Sequence, residues 1–433
     1  KYGFSAEGES IPIAVTFPVN VSEEQERGNL LDGARAEISF ILQKNGVSQQ
    51  AYEERFIQFS GLVSQPVFGS PDAPVGYVEF SIEQRAIVES TSLLEAVCGP
   101  NGQISDNDIL NGSKKNSVWE LLIAAVDQVH KGKKAPIVLG ETGKALGTIS
   151  GNLIDVRATP AYVIAYSNSV PDNLPLFLLI AGHPVTASSV KIYDSEGNSD
   201  TATPAYFVGP ENNVFTYVII EFASTSLKSA VIDNQIEYWC AWTSGGGLPS
   251  PYRSGPLEGG GDVCLWALSM VSKDVDFDRW IGLAPVLNRY KFAGYINEAE
   301  IDPIGFLEQN IFPFLPISVG IGPKGFRPIL NLAMIGEMIT PQASISAGPD
   351  FFRVGSIITE SSYDDIANQI QLNFAFNSAR ESYYSTVRIV PDKKRGLWFE
   401  FTDDYASVSY QIFGRRSKSF DADYIYDYQT AIL

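Results

Sequence analysis

The chain has 433 residues, 45% hydrophobic and 19% charged, and its 50 Asp and Glu outnumber 31 Lys and Arg for a net charge of −19. That length exceeds one ordinary domain of roughly 100–200 residues, and that apolar content excludes a disordered chain. The negative balance disfavours a sequence-independent grip on nucleic acid or on an anionic membrane, because both draw affinity from Lys and Arg.

Strands and turns dominate the expected elements. Twenty-five Phe and 20 Tyr stand against three Met, with 37 Gly and 25 Pro as punctuation; aromatics favour strands, and Gly and Pro mark turns. In the first third, Ile38, Phe40 and Leu42 alternate before Asn45-Gly46, and a second extended run reaches Phe59. Asn-Gly between two such runs signals a hairpin, since both residues tolerate positive φ. "GYVEFSIEQ" sets Val78, Phe80 and Ile82 on one face and Glu79, Ser81 and Glu83 on the other, the pattern of a half-buried antiparallel strand. A helix is expected over "NSVWELLIAAVDQVHKG", with a Ser117–Glu120 capping box and a Lys131-Gly132 stop.

From Ala161 to Phe222 strands return, with Glu196-Gly197-Asn198 as a turn. The most continuous apolar run, Leu174–Gly182, falls far short of the ~20 residues of a spanning helix. Thr243–Asp262 is dense in Gly, Pro and Ser and reads as a loop or linker. A helical section follows. Asp262 is the expected cap of "VCLWALSMVSKD", and Asp302-Pro303 opens a helix carrying Ile304, Leu307 and Ile311. The last hundred residues read as strands, with Ile370, Leu372, Phe374 and Phe376 alternating, then "STVRIVP" and "GLWFEFTD". The expected class is mainly β with a few helices (α+β), as several β-barrel or sandwich domains with an α-rich insertion.

Two glycine motifs invite a nucleotide. Gly320, Gly322 and Gly325 spell G-x-G-x-x-G, but no helix follows: Pro323 interrupts the glycines and Pro328 bars a helix interior. They are expected at a hairpin tip around Pro323-Lys324-Gly325. Val138–Ala145 resembles a phosphate loop but lacks its first Gly and its terminal hydroxyl, so the Mg²⁺ ligand is missing. Gly140 and Gly143 then shape a strand connection.

Only His130 and His183 are present, which excludes a multi-histidine metal site. His130 is expected at a helix C-terminus and His183 in a turn before Pro184. Cys98, Cys240 and Cys264 are too sparse for a disulfide framework and read as reduced, mostly buried thiols. No secretory leader is recognised in "KYGFSAEGES", and the chain is expected to be soluble, without a membrane segment. Carboxylates that could serve a glycosidase are Glu298, Glu300 and Asp302, Asp364 and Asp365, and Asp403 and Asp404; caps, turns and solvated faces account for each equally well. Tyr383, Tyr384, Tyr405, Tyr410, Tyr424, Tyr426 and Tyr428 could stack sugars or bases, against the plainer role of core edges and interfaces. No catalytic, cofactor-binding or metal-ligating residue is assigned.

Three segments together resemble the central tail-hub (baseplate hub) proteins of long-tailed bacteriophages. Gly260–Leu330 carries Asn288-Arg289-Tyr290 after a helix, a strand ending Tyr295–Glu298, a Phe306–Asn310 helix and a Gly322–Phe326 hairpin. Ser362–Asn377 is similar to the family's strand entry, and Ser407–Ala431 to its ending, with Phe413-Gly414-Arg415-Arg416 at a tight turn. Over Lys1–Thr243 the match is one of strand pattern, plus a turn in Pro136–Gly147.

The resemblance implies a homotrimer with tail-tube-like barrels and no enzyme activity. Its partners are a distal tail or tail-tube protein above and central fibre or tip proteins below. The tape-measure protein and passing DNA occupy the lumen without specific binding. It also implies a virion location at the tail tip after assembly in the host cytoplasm. The domains expected are 1–150, a tube-like barrel with one helix; 151–250, a second β domain; 251–335, an α/β insertion; and 336–433, a C-terminal β domain interleaved with the N-terminal barrels. The alternatives are a carbohydrate-active β-protein, a glycosidase or sugar-binding module at a tail tip, and a non-viral adhesion protein.

Overall fold

A computed structural model describes residues 10–17, 35–40, 43–44, 47–48, 56–68, 76–83, 92–98, 135–141, 148–149, 152–153, 159–165, 176–194, 199–208, 214–220, 238–271, 275–298, 300–322, 324–331, 366–377, 381–390, 400–402 and 404–433. Within them the chain is mainly β with few helices.

The first sheet contains β1 (Ser10–Phe17) and β2 (Arg35–Phe40); a small hairpin, β3 (Gln43–Lys44) and β4 (Val47–Ser48), follows; β5 (Phe56–Phe68) and β6 (Gly76–Glu83) complete the sheet in the order β1-β6-β5-β2. Lys44 pairs with Val47 across positions 45–46, as the Asn-Gly signal predicts. The β5–β6 register shifts between Ser64 and Val67. Pro66 falls inside that shift, where its missing N–H leaves no gap in a ladder.

Next come α1 (Leu93–Cys98), β7 (Ile137–Leu139) and the short pair β8 (Thr148–Ile149) and β9 (Asn152–Leu153). The helix expected over 117–132, with His130, lies outside the described residues.

Seven strands then build one antiparallel sheet. They are β10 (Thr159–Ala165), β11 (Leu176–Ala181), β12 (Ser189–Asp194), β13 (Ser199–Ala202), β14 (Pro204–Val208), β15 (Val214–Ile220) and β16 (Tyr238–Ser244), in the order β13-β12-β16-β10-β11-β15-β14. The two outer members, β13 and β14, are consecutive and separated only by Thr203. One bent segment therefore pairs with β12 through its first half and with β15 through its second. The sheet nearly closes on itself, which leaves little open edge. Its interior is apolar: Leu178, Ile180, Val190, Ile192, Val218 and Cys240 are fully buried.

The helical section holds α2 (Gly260–Ser269), α3 (Phe277–Leu287), β17 (Gly294–Ile296), α4 (Pro303–Asn310), a 3₁₀ turn at Phe312–Phe314, and the hairpin β18 (Ile317–Gly322) and β19 (Gly325–Leu330). Asp302 caps α4 as expected: its carboxylate accepts from the Gly305 N–H at 2.8 Å, with Pro303 in the first turn. Asp262 is not the cap of α2. Gly259 holds that position, and Asp262 sits inside the first turn with its N–H donated to Asn288 Oδ1 at 2.9 Å.

The C-terminal part comprises β20 (Gln369–Asn377), β21 (Ser382–Val390), β22 (Glu400–Thr402), α5 (Asp404–Phe413), β23 (Ser417–Ala422) and α6 (Tyr428–Ile432). The sheet order is β22-β21-β20-β23, antiparallel at the centre and parallel at both outer pairs. Helix α5 links the two outer strands. The expectation of strands throughout this region is corrected by α5 and α6. The sequence "DYASVSYQIF" has the Ser, Val, Tyr and Ile content of a strand, and the crossover overrides that propensity. Gly414, at φ +67°, ends the helix, and its N–H donates to Tyr410 C=O at 2.9 Å.

The helical section and the C-terminal sheet share one core. Leu93, Ile137, Leu139, Val263, Trp280, Phe292, Phe306, Phe374, Val387 and Ala422 all belong to it. Trp280 is fully buried and stacks on Phe312 at 5.8 Å and on Phe326 at 6.2 Å.

Candidate functional site

Strand β7 lies between the two cores. Ile137 and Leu139 face the helical core while Val138 faces the barrel core, as the twofold period of a strand requires. Its carbonyls and those beyond it receive the glycine-rich stretch that follows β16. The Gly247 N–H donates to Gly140 C=O at 2.9 Å and the Leu248 N–H to Val138 C=O at 2.7 Å. From the barrel side, the Thr186 and Ala187 N–H groups donate to Gly246 C=O at 3.0 and 2.9 Å. The stretch expected as a loop or linker is thus a loop bonded on both sides, not a spacer. Its glycines are needed for approach: a Cβ on Gly247 would lie 2.1 Å from the Val138 oxygen, and one on Gly246 2.4 Å from the Gly140 oxygen. Gly140 itself has φ +63°. Within the phosphate-loop look-alike, Gly140 therefore turns the chain at the end of β7, as expected; residues 142–145 lie outside the described residues.

His183 pins the same strand. Its Nε2 accepts the Val138 N–H at 2.9 Å, which places the ring proton on Nδ1, 2.6 Å from Pro184 C=O. The Thr216 hydroxyl donates to the His183 carbonyl at 2.6 Å. Burial lowers the imidazole pKa to about 4, opposed by the hydrogen bond to Pro184. The ring is a neutral structural pin, in keeping with its expected place before Pro184 in a turn.

The three glycines of the dinucleotide look-alike form a hairpin. Gly322 pairs with Gly325 across the turn, and Gly325 has φ +103°. A Cβ on Gly320 would meet only Ile329 Cδ1, at 3.6 Å, so no close backbone cradle exists there. The hairpin instead docks on α3, where Trp280 Nε1 donates to Phe326 C=O at 3.1 Å.

Of the carboxylate candidates, Glu298, Glu300 and Asp302 come together. With Ile301, Gly305 and Gln309 they line an open cleft of about 570 Å³. Asp302 is committed to capping α4, while Glu298 and Glu300 are exposed. A glycosidase pairs one desolvated general acid with a second carboxylate across the scissile bond; the two exposed glutamates lack that asymmetry of surroundings. Glu308, on the same helix, is raised by burial and by Asp302. Asp404 opens α5. Asp364, Asp365 and Asp403 lie outside the described residues. Among the described residues no group of three His, Cys, Asp or Glu side chains is placed to hold a metal ion.

The tyrosines divide by environment. Tyr424 donates to Tyr295 C=O at 2.9 Å and Tyr426 to Phe376 C=O at 3.0 Å, and burial raises both phenols. Tyr428 packs against the core, the Tyr384 hydroxyl accepts from Asn377 Nδ2 at 2.9 Å, and Tyr383 donates to Asp423. Tyr410 is exposed. Cys240 and Cys264 are buried free thiols whose pKa values are pushed up by burial.

One buried polar cluster gathers Asp262, expected only as a helix cap, with Asn288 and Arg253. Asp262, 4% exposed, accepts from Asn288 Nδ2 at 2.7 Å and pairs with Arg253 Nε at 2.7 Å. Asn288 thereby ties the start of α2 to the end of α3. The sequence singled out Asp262 as a cap and Asn288 within Asn288-Arg289-Tyr290, but nothing in it marked their pairing across 26 positions.

No family model, no curated protein and no solved structure matches the chain. Among the described residues no helix is long and apolar enough to cross a membrane.

Proposed function

We propose that this chain is a structural virion protein, the tail hub that joins a tail tube to a tail tip or fibres and forms part of the DNA-ejection channel. The observation that carries the reading is the co-assembly of the segments on which the resemblance rests. Residues 260–330, 366–377 and 407–431 are far apart in sequence, yet Val263, Phe306, Phe374 and Ile425 from all three contribute to one buried core. The nearly closed antiparallel sheet supports the same reading, because a barrel leaves few edges exposed when copies pack into a ring.

In this role the chain acts by assembly as a homotrimer of tube-like barrels, at the tail tip of the particle. A distal tail or tube protein binds above and fibre or tip proteins below. The net charge of −19 suits a lumen through which DNA and a tape-measure protein pass without adhering. The rival, a glycosidase or sugar-binding module, is supported by the open cleft at Glu298 and Glu300.

The deciding experiment measures the native mass of the full chain and its activity on bacterial polysaccharide. A mass that is a multiple of three chains, with no hydrolysis, supports the hub. A monomer that cleaves polysaccharide, and loses that activity in the Glu298→Gln, Glu300→Gln double variant, overturns it in favour of the rival.

A further inference from the structure

We propose that His183 is an acid-released latch: protonating its ring frees β7 from the barrel, and the junction opens as a local unit while the helical core stays folded. The ring is 3% exposed, and both of its nitrogens are committed. Nε2 accepts the Val138 N–H at 2.9 Å, and the proton on Nδ1 points at Pro184 C=O, 2.6 Å away. A second proton can only go on Nε2. There it would face the Val138 N–H, donor against donor. Ala181 and Val185, on either side in the chain, belong to the apolar barrel core. A buried cation without an acceptor is costly, so the charged ring is stable only outside its socket.

The contacts around the ring decide what moves with it. The turn that carries His183 is held to β7 by the Val138 N–H on the ring and by the Gly182 N–H on Pro136 C=O at 3.0 Å. On its other side β7 pairs with β17, Leu139 with Gly294 and Ile137 with Ile296, and that pairing does not involve the turn. The helical core rests on the stack of Trp280 with Phe312 and Phe326 and on helices such as α4, where Phe306 and Ile311 donate to Asp302 and Leu307 C=O. None of these bonds uses residues 181–187, so release at His183 leaves them in place.

The titratable groups on the elements around the ring, among the described residues, are Glu141 beyond β7, Tyr206 on β14, Tyr217 on β15, and Tyr238 and Cys240 in the barrel core. Tyr206 is committed to Val185 C=O at 2.9 Å. Tyr217 lies on the face of β15 opposite Thr216, by the alternation of the strand. Burial raises both Tyr217 and Cys240. At the imidazole itself burial is the larger influence and holds the pKa at about 4, opposed by the bond to Pro184. A released ring titrates at the ordinary 6.5, so falling pH favours release. Between pH 8 and pH 5 the ratio of open to closed junction rises about thirtyfold. The latch belongs to the chain itself, and its failure would leave the hub reading untouched.

The test is hydrogen exchange of the full chain from pH 8 to 4.5, read by mass spectrometry and corrected for the intrinsic effect of pH, with His183→Gln beside wild type. Glutamine can accept the Val138 N–H through Oε1 but does not titrate, and it leaves Glu141 and every other carboxylate in place. In wild type, protection at Val138 and Gly182 is expected to fall about thirtyfold by pH 5, while Phe306 and Ile311 change less than about threefold. In His183→Gln all four stay level. Wild-type protection that holds at pH 5 overturns the proposal, as does an equal fall in His183→Gln or an equal fall in α4. Wild type also decides alone: the loss begins near pH 6.5, where a released imidazole titrates, and a loss confined to below about pH 5, the carboxylate range, overturns the latch.

Discussion

The junction at β7 makes a sharp prediction for Gly247→Ala. The added Cβ would sit 2.1 Å from the Val138 oxygen, 2.6 Å from its carbonyl carbon and 2.9 Å from its Cβ. Val138 is fully buried, so β7 has no room to retreat without disturbing one core or the other. Relief requires the loop to lift from β7, breaking the Leu248–Val138 and Gly247–Gly140 backbone hydrogen bonds at 2.7 and 2.9 Å. Leaving two buried backbone pairs unmade costs about 2–5 kcal/mol, a substantial share of the ~5–15 kcal/mol that stabilises an ordinary fold. Urea denaturation of the variant beside wild type reads this as a fall in midpoint. Gly320→Ala is the control, because its Cβ meets only Ile329 Cδ1, at ordinary contact distance; its change is expected below about 1 kcal/mol. A Gly247→Ala variant as stable as Gly320→Ala would refute the claim that the glycine-rich loop clamps the cores together.

Three further outcomes are expected. The His183 pKa is lowered in the fold from 6.5 to about 4, so the folded chain binds fewer protons than the unfolded chain between those values. Its stabilising contribution is complete above pH 6.5 and is lost as pH falls toward 4, about 3 kcal/mol in all; denaturation midpoints across that window should show a slope that His183→Gln lacks. Asn288→Ala strips the buried Asp262 of one partner and orphans its N–H, lowering stability by about 2–3 kcal/mol in the same assay. Cys240 and Cys264, buried with raised pKa values, should resist a thiol-reactive dye in the folded chain and react after denaturation.

The sequence disclosed what is decided over a few residues. Asp302, Pro303 and Gly305 form a cap within four positions, and Pro323 with Pro328 ruled out a helix after the glycines. The grouping of Glu298, Glu300 and Asp302 was legible because they are neighbours in the chain, whereas the cleft they line was not. Features that depend on distant partners were not. His183 meets Val138 across 45 positions, and no local pattern marks either residue. The near-closure of the seven-stranded sheet at Thr203 depends on β12 and β15 lying on its two sides. Asp262 was misread as a cap because the residue that fixes its position, Asn288, is 26 positions away. Helix α5 was hidden by its own composition, since the crossover between outer strands, and not its residue preferences, sets its conformation.

Electron microscopy of the purified chain tests the central claim most directly. The account predicts class averages with threefold symmetry around a central opening, seen down the axis of a ring built from barrels. Averages showing single compact particles with no axis and no opening would contradict it.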